Sequence, residues 1–153
     1  MKKLFAAIGV LAAFGIIHAN AQGDVPKRTV LGLEGPAIPN AGFQLEVLGV
    51  VPLYDQIEGM AGWNLRTRRV TFKPGGIAPI HPHVKRPTLF YIVSGEVIEH
   101  RSDVEGPQIH KKGDAVQIKN GAAHWWINET GTDAIVIATD ILSDKQLNAG
   151  GRE

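Results

Sequence analysis

Short apolar runs, each cut off by glycine, proline or a polar break, constrain this chain more than any other feature. Phe43–Pro52, Trp63–Phe72, Thr88–Ser94, Glu96–Arg101, Gln108–Lys111, Ala115–Ile118 and the stretches 124–128 and 134–142 are all of strand length. Pro74-Gly75-Gly76, Ser94-Gly95, Gly106-Pro107, Lys112-Gly113-Asp114 and Asn120-Gly121 punctuate them. Short strands at this spacing predict an all-β sandwich or barrel. No stretch beyond the N-terminal leader carries a convincing helical period. Ser94-Gly95 predicts a tight turn between two paired strands. The nearly unbroken apolar run 134–142 predicts a strand covered on both sides. There is no internal repeat and no sign of a second domain.

The chain opens Met1-Lys2-Lys3, continues as an apolar run from Leu4 to Ile17, and reaches Ala19-Asn20-Ala21 before Gln22. A basic start, a short apolar stretch and an A-x-A-like site together predict a secretory signal peptide over residues 1–21 and a periplasmic or secreted destination. The alternative, an uncleaved inner-membrane anchor, has too short an apolar run and the wrong flanks. Cleavage leaves 132 residues, one ordinary domain, and moves the formal charge from +1 to −1. Scattered charges near neutrality give no electrostatic case for nucleic acid or for an anionic membrane once the signal is gone. The chain has no cysteine. Disulfides and protein thiol chemistry are thereby excluded, and an exported chain of this kind must rely on its core.

Residues 22–41 are rich in glycine, proline and small polar residues and predict an extended N-terminal arm. A barrel is expected over residues 42–145, and a polar, frayed tail over 146–153.

Three histidines carry the chemistry. His81 and His83 alternate along one expected strand, so both imidazoles point to the same face. His124, on a later strand, can supply a third. Neutral imidazole suits Zn, Cu, Fe and Ni. Three protein ligands leave coordination positions open for water or substrate, as a catalytic site requires.

Each histidine group sits inside a glycine-framed motif. The first reads Gly75-x5-His81-x-His83-x4-Thr88-x6-Gly95, and the second reads Gly113-x5-Lys119-x-Gly121-x2-His124-x3-Asn128. Together they resemble the two signature motifs of the cupin superfamily. Eight of the ten framed positions match, and every spacing does. The resemblance implies a single-domain jelly-roll β-barrel, one divalent transition metal (Fe, Mn, Zn, Ni or Cu) on His81, His83 and His124, a small-molecule ligand or substrate, and a homodimer. It also implies a range of reactions, from oxygenase to isomerase and lyase, that the fold alone does not separate. Two positions depart from the pattern. Thr88 stands where many metal-binding cupins have a glutamate ligand, and Lys119 replaces a proline. A three-histidine centre like that of some thiol-dioxygenase-like cupins is then the natural reading, and a barrel that has lost its metal is the other.

Strand parity assigns the neighbours. If Thr88 points inward, so do Phe90 and Ile92, and Tyr91 points out. Thr88, Phe90 and Trp126 are therefore candidate pocket residues. For Thr88 the alternative is an ordinary inner-face residue, and for Trp126 it is simple core filling. Trp125 takes the opposite face, where a subunit contact could cover it. Pro82 fits an edge strand or a strand start. His100, His110, Glu96 and Glu99 are expected at the surface. Arg66, Arg68, Arg69, Lys85 and Arg86 form a basic set. One of its arginines could hold a substrate carboxylate, but a solvated barrel surface is the favoured reading. Arg66 and Arg68 share a face and Arg69 takes the other. The function expected is metal-dependent chemistry on a small carboxylate or oxygenated metabolite, with a non-catalytic small-ligand- or metal-binding protein as the alternative.

Overall fold

The computed structural model describes residues 25–150. The signal-like segment lies outside them. In chain order the strands are β1 (Lys27–Val30), β2 (Leu33–Pro36), β3 (Phe43–Pro52), β4 (Trp63–Phe72), β5 (Ile77–Pro82), β6 (Thr88–Ser94), β7 (Glu96–Arg101), β8 (Gln108–Lys111), β9 (Ala115–Ile118), β10 (Ala123–Ile127) and β11 (Ala134–Ser143), followed by the short helix α1 (Asp144–Asn148). A five-stranded antiparallel sheet runs β3-β4-β11-β6-β9, and a four-stranded sheet runs β5-β10-β7-β8. From β4 onward the chain passes repeatedly between the two sheets, the winding of a jelly roll.

The sheets close on an apolar core. Val70 and Phe72 of β4, Phe90 and Ile92 of β6 and Val136 and Ala138 of β11 meet Ala78 of β5, Val97 of β7 and Trp126 of β10. Full burial of a side chain such as Phe72 or Ile92 stabilises the fold by about 1.5–3 kcal/mol. Phe72 stacks on Trp126 with ring centres 6.2 Å apart, which ties one sheet to the other.

Period-two alternation governs both long central strands. Along β4, Asn64, Arg66, Arg68, Val70 and Phe72 turn inward, while Leu65, Thr67, Arg69 and Thr71 turn out. The solvated surface expected for Arg66, Arg68 and Arg86 is therefore wrong: their exposures are 3%, 7% and 0%. The apolar partners Val70 and Phe72 carry the same-face arginines inside. Of the three arginines on β4, Arg69 alone faces out, where it pairs with Glu46. β11 alternates buried and half-buried residues instead of being covered on both sides. Pro82 closes β5, an edge strand, as expected.

Ser94-Gly95 does not join paired strands. β6 and β7 belong to different sheets, and Gly95 is the corner between them. Its φ of 75° is left-handed, and a Cβ there would lie 2.6 Å from the Asp133 carbonyl oxygen. Only glycine meets both demands.

The described part of the expected extended arm is a hairpin. β1 and β2 pair through a two-residue turn at Leu31-Gly32, with φ of 51° and 80°, and β2 packs on β5 and β10 of its own barrel. A side chain at Gly35 would collide with the Trp125 indole, so the hairpin backbone itself lies on that ring. The other partner of Trp125 is His100, stacked at 4.0 Å. The cover over Trp125 is thus this chain's own N-terminal hairpin. At the other end, the expected frayed tail begins as α1, started by a capping box between Ser143 and Gln146.

Candidate metal centre

His81 and His124 are directly opposed across β5 and β10, which puts both imidazoles on the inner face. His83 follows β5 and is fixed by its backbone: its N–H donates to the Ala122 carbonyl at 2.8 Å, and its carbonyl accepts from Gly121 N–H at 2.8 Å. The three Nε2 atoms form a nearly equilateral triangle. His83 lies 3.2 Å from His81 and 3.0 Å from His124, and His124 lies 3.2 Å from His81.

The opposite ring nitrogens settle which atoms are free. His81 Nδ1 donates to the Pro79 carbonyl at 2.9 Å. His83 Nδ1 donates to Thr88 Oγ1 at 2.9 Å, and that hydroxyl donates on to the Arg86 carbonyl at 3.2 Å. His124 Nδ1 donates to Glu99 Oε1 at 2.5 Å. Trp126 Nε1 also lies 2.8 Å from His124 Nδ1, but the ionised Glu99 can only accept, so His124 Nδ1 keeps its proton. With each Nδ1 protonated, each Nε2 presents a lone pair. Burial is the first cause that pushes all three histidines below the ordinary pKa of 6.5, and the charge of Arg86 adds to it. All three are thus neutral, the form that binds metal.

Three lone pairs converging at these distances repel one another unless a cation lies between them. Given metal–nitrogen bonds of about 2.1 Å, nitrogens 3.0–3.2 Å apart subtend about 95° at a common centre. That is closer to the face of an octahedron than to a tetrahedron. The residues fit a divalent transition ion with open positions on the far side. One protein group already reaches this region: Arg86 Nη2 lies 3.2 Å from His83 Nε2.

Thr88, at the position of the usual glutamate, stands behind His83 and orients it. Phe90 touches the rings of His83 and His124, at 6.2 and 5.6 Å between centres. Trp126 packs edge-on to His124 at 5.9 Å. Phe90 and Trp126 line a cavity of about 530 Å³ together with His81, His124 and Arg68. Tyr91 points away from it and is 49% exposed.

Glu99 corrects a second expectation. Its place past the Ser94-Gly95 turn predicts a surface residue, yet it is fully buried. Besides His124 it accepts from Trp126 Nε1 at 3.1 Å and from His110 Nε2 at 2.9 Å. Burial alone would raise its pKa, but the bonds from His110 and His124 outweigh it and hold the carboxyl at about 2. His110 is thereby a half-buried partner of Glu99 and not a free surface residue. The available signal was parity: Val97 and Glu99 share a face of β7, and Val97 is apolar. A carboxylate behind a ligating histidine fixes its tautomer and raises its basicity. Glu99→Gln should therefore weaken metal binding about 10–100-fold, as read by competition with a chelator of known affinity, while leaving the stoichiometry unchanged.

The sequence profile described as "Cupin domain" matches residues 68–140, the span that contains all three histidines and both glycine-framed motifs. The chain belongs to the cupin superfamily. No curated protein matches this cupin by sequence. Among solved structures, KdgF from Halomonas sp. is similar at 16% identity, over 70% of this chain and 87% of that one, with a TM-score of 0.53. An RmlC-like cupin from Shewanella frigidimarina NCIMB 400 matches at 18% identity over 71% and 83%, with a TM-score of 0.52. A recombinant oxalate oxidase in complex with glycolate matches at 18% over 67% of this chain but 55% of its own, with a TM-score of 0.51. At these identities the likeness speaks for the shared all-β jelly roll.

Proposed function

We propose that this cupin is an exported enzyme that binds one divalent transition metal through His81, His83 and His124 and acts on a small carboxylate or oxygenated metabolite. The observation that carries the reading is the triangle of Nε2 lone pairs, each fixed by a bonded Nδ1. Bound there, the metal would supply Lewis-acid polarisation or redox chemistry. The chain's own residues do the rest. Glu99 and Thr88 hold two of the rings in position. Phe90 and Trp126 keep the inner wall apolar and so limit water. No carboxylate stands at the usual ligand position, so oxygenase, isomerase or lyase chemistry centred on the metal suits the site better than acid–base work by paired carboxylates.

The leader over residues 1–21 supports a periplasmic or secreted location. A homodimer is supported by the outer face of the five-stranded sheet, where Leu65 of β4 and Leu89, Tyr91 and Val93 of β6 are exposed, and by the long exposed edge strand β3. A non-catalytic binding role is the second reading, favoured by the largely apolar cavity.

An enzyme needs an exchangeable position on the metal, and cobalt reports one. Cobalt(II)-loaded protein should show visible bands that shift when azide or glycolate is added. Bands that ignore both ligands would mean a closed site and would overturn the catalytic reading.

A further inference from the structure

Behind the histidines lies a buried cluster with an imbalance of charge. Asp140 of β11 is 1% exposed and faces Arg66 across the strand pair. Arg66 covers both of its oxygens, Nε to Oδ1 at 3.1 Å and Nη2 to Oδ2 at 2.8 Å. Arg68 adds one further bond, Nη2 to Oδ2 at 2.9 Å. One carboxylate is thus shared by two guanidiniums, and Arg86 lies close enough to sense Asp140 as well.

Arg68 is the member of this cluster that opens onto the cavity. It has five N–H donors and gives one to Asp140. Its Nε is buried without a partner, and the residue is 7% exposed. Burial, together with the charges of Arg66 and Arg86, lowers its pKa to about 10 against the pull of Asp140. A buried cation with donors left over calls for an anion.

The surroundings say what else that anion carries. Arg68, Ala138 and Phe90 lie side by side across β4, β11 and β6. Arg68 and Phe90 both line the cavity, so one ligand can reach from the guanidinium to the ring that touches His124. The other walls include Phe43, Val70, Phe72 and Trp126. A volume of about 530 Å³ with such walls exceeds what a bare dianion such as oxalate fills, and it suits a hydrocarbon body.

We propose that the cavity takes a monocarboxylic acid with an apolar body, its carboxylate on the Arg68 guanidinium and its body between the aromatic walls toward the histidines. The inference deepens the proposed function and rests on it for the metal's part, but the Arg68 subsite stands without metal.

Calorimetry on the full chain, metal-free and zinc-loaded, tests it with 3-phenylpropanoate, the neutral 3-phenylpropanamide and oxalate. The acid should bind about tenfold or more tightly than the amide in both forms, and more tightly than oxalate. Arg68→Gln should bring acid and amide to equal affinity without changing zinc stoichiometry. Asp140 keeps both Arg66 bonds in that variant. Arg68→Lys, which keeps the charge but not the fork, should retain part of the preference. Equal binding of acid and amide by the wild-type protein, or an undiminished preference in Arg68→Gln, would overturn the proposal, as would tighter binding of oxalate. Zinc binding with no acid preference would defeat this inference and spare the metal centre. Acid preference in a chain that binds no zinc would do the reverse.

Discussion

Asp140→Asn is expected to destabilise the folded chain by about 3–5 kcal/mol, a large share of the stability of a domain this size. The carboxamide has nearly the same shape, so the cost isolates charge from packing. It strips the negative charge from the group that accepts three charge-assisted bonds and leaves Arg66 and Arg68 buried without that counter-charge. It also puts an N–H₂ where only acceptors are useful. Arg68→Gln should cost much less, because it removes a cation from a cluster with too many. Urea unfolding of the three proteins checks the contrast through midpoint and slope. An Asp140→Asn protein within about 1 kcal/mol of the wild type would mean that the cluster is hydrated and not a buried network.

The fold was legible because strand logic is local. Alternation along 63–72 and 88–94, with glycine and proline breaks between runs, is enough to derive a barrel, and Thr88, Phe90 and Ile92 turn inward together as parity requires. Pairing between strands is not local, and that is where Ser94-Gly95 misled. A tight turn between two strands looks the same whether they pair or cross to another sheet. The discriminating fact, the closeness of Asp133 to Gly95, comes from almost forty residues away. The N-terminal hairpin was hidden for a related reason: glycine and proline suggested an arm, but Gly35 is there to let the backbone lie on Trp125.

In the site, the spacing of His81, His83 and His124 was readable because two of the three lie on one short segment. Their supporting groups were harder to see. Residue type alone puts Glu99, Arg66 and Arg68 in solvent, although each shares a face with an apolar residue: Val97 for Glu99, Val70 for the arginines. Parity outranked polarity in all three cases. Buried charge is tolerated where partners meet it across the sheet, and the partner Asp140 sits in a run that otherwise reads as plain core.

The second large effect concerns the metal. Loss of two of three imidazoles from a preformed triangle removes the chelating geometry altogether, and the remaining His83 is a single ligand of ordinary affinity. His81→Ala/His124→Ala should therefore lose essentially all bound ion. The fold should survive, since His81 and His124 give the core little of its apolar contact; Glu99 keeps His110 and Trp126 as partners. Elemental analysis of tag-free protein, purified without oxygen and dialysed after incubation with iron, manganese, zinc, nickel and copper, reads this directly. About one equivalent of a transition ion per wild-type chain, and near none in the double variant, is the predicted result. Wild-type protein that retains no ion, or a double variant that retains as much as the wild type, would contradict the assignment of the histidine triangle as a metal centre.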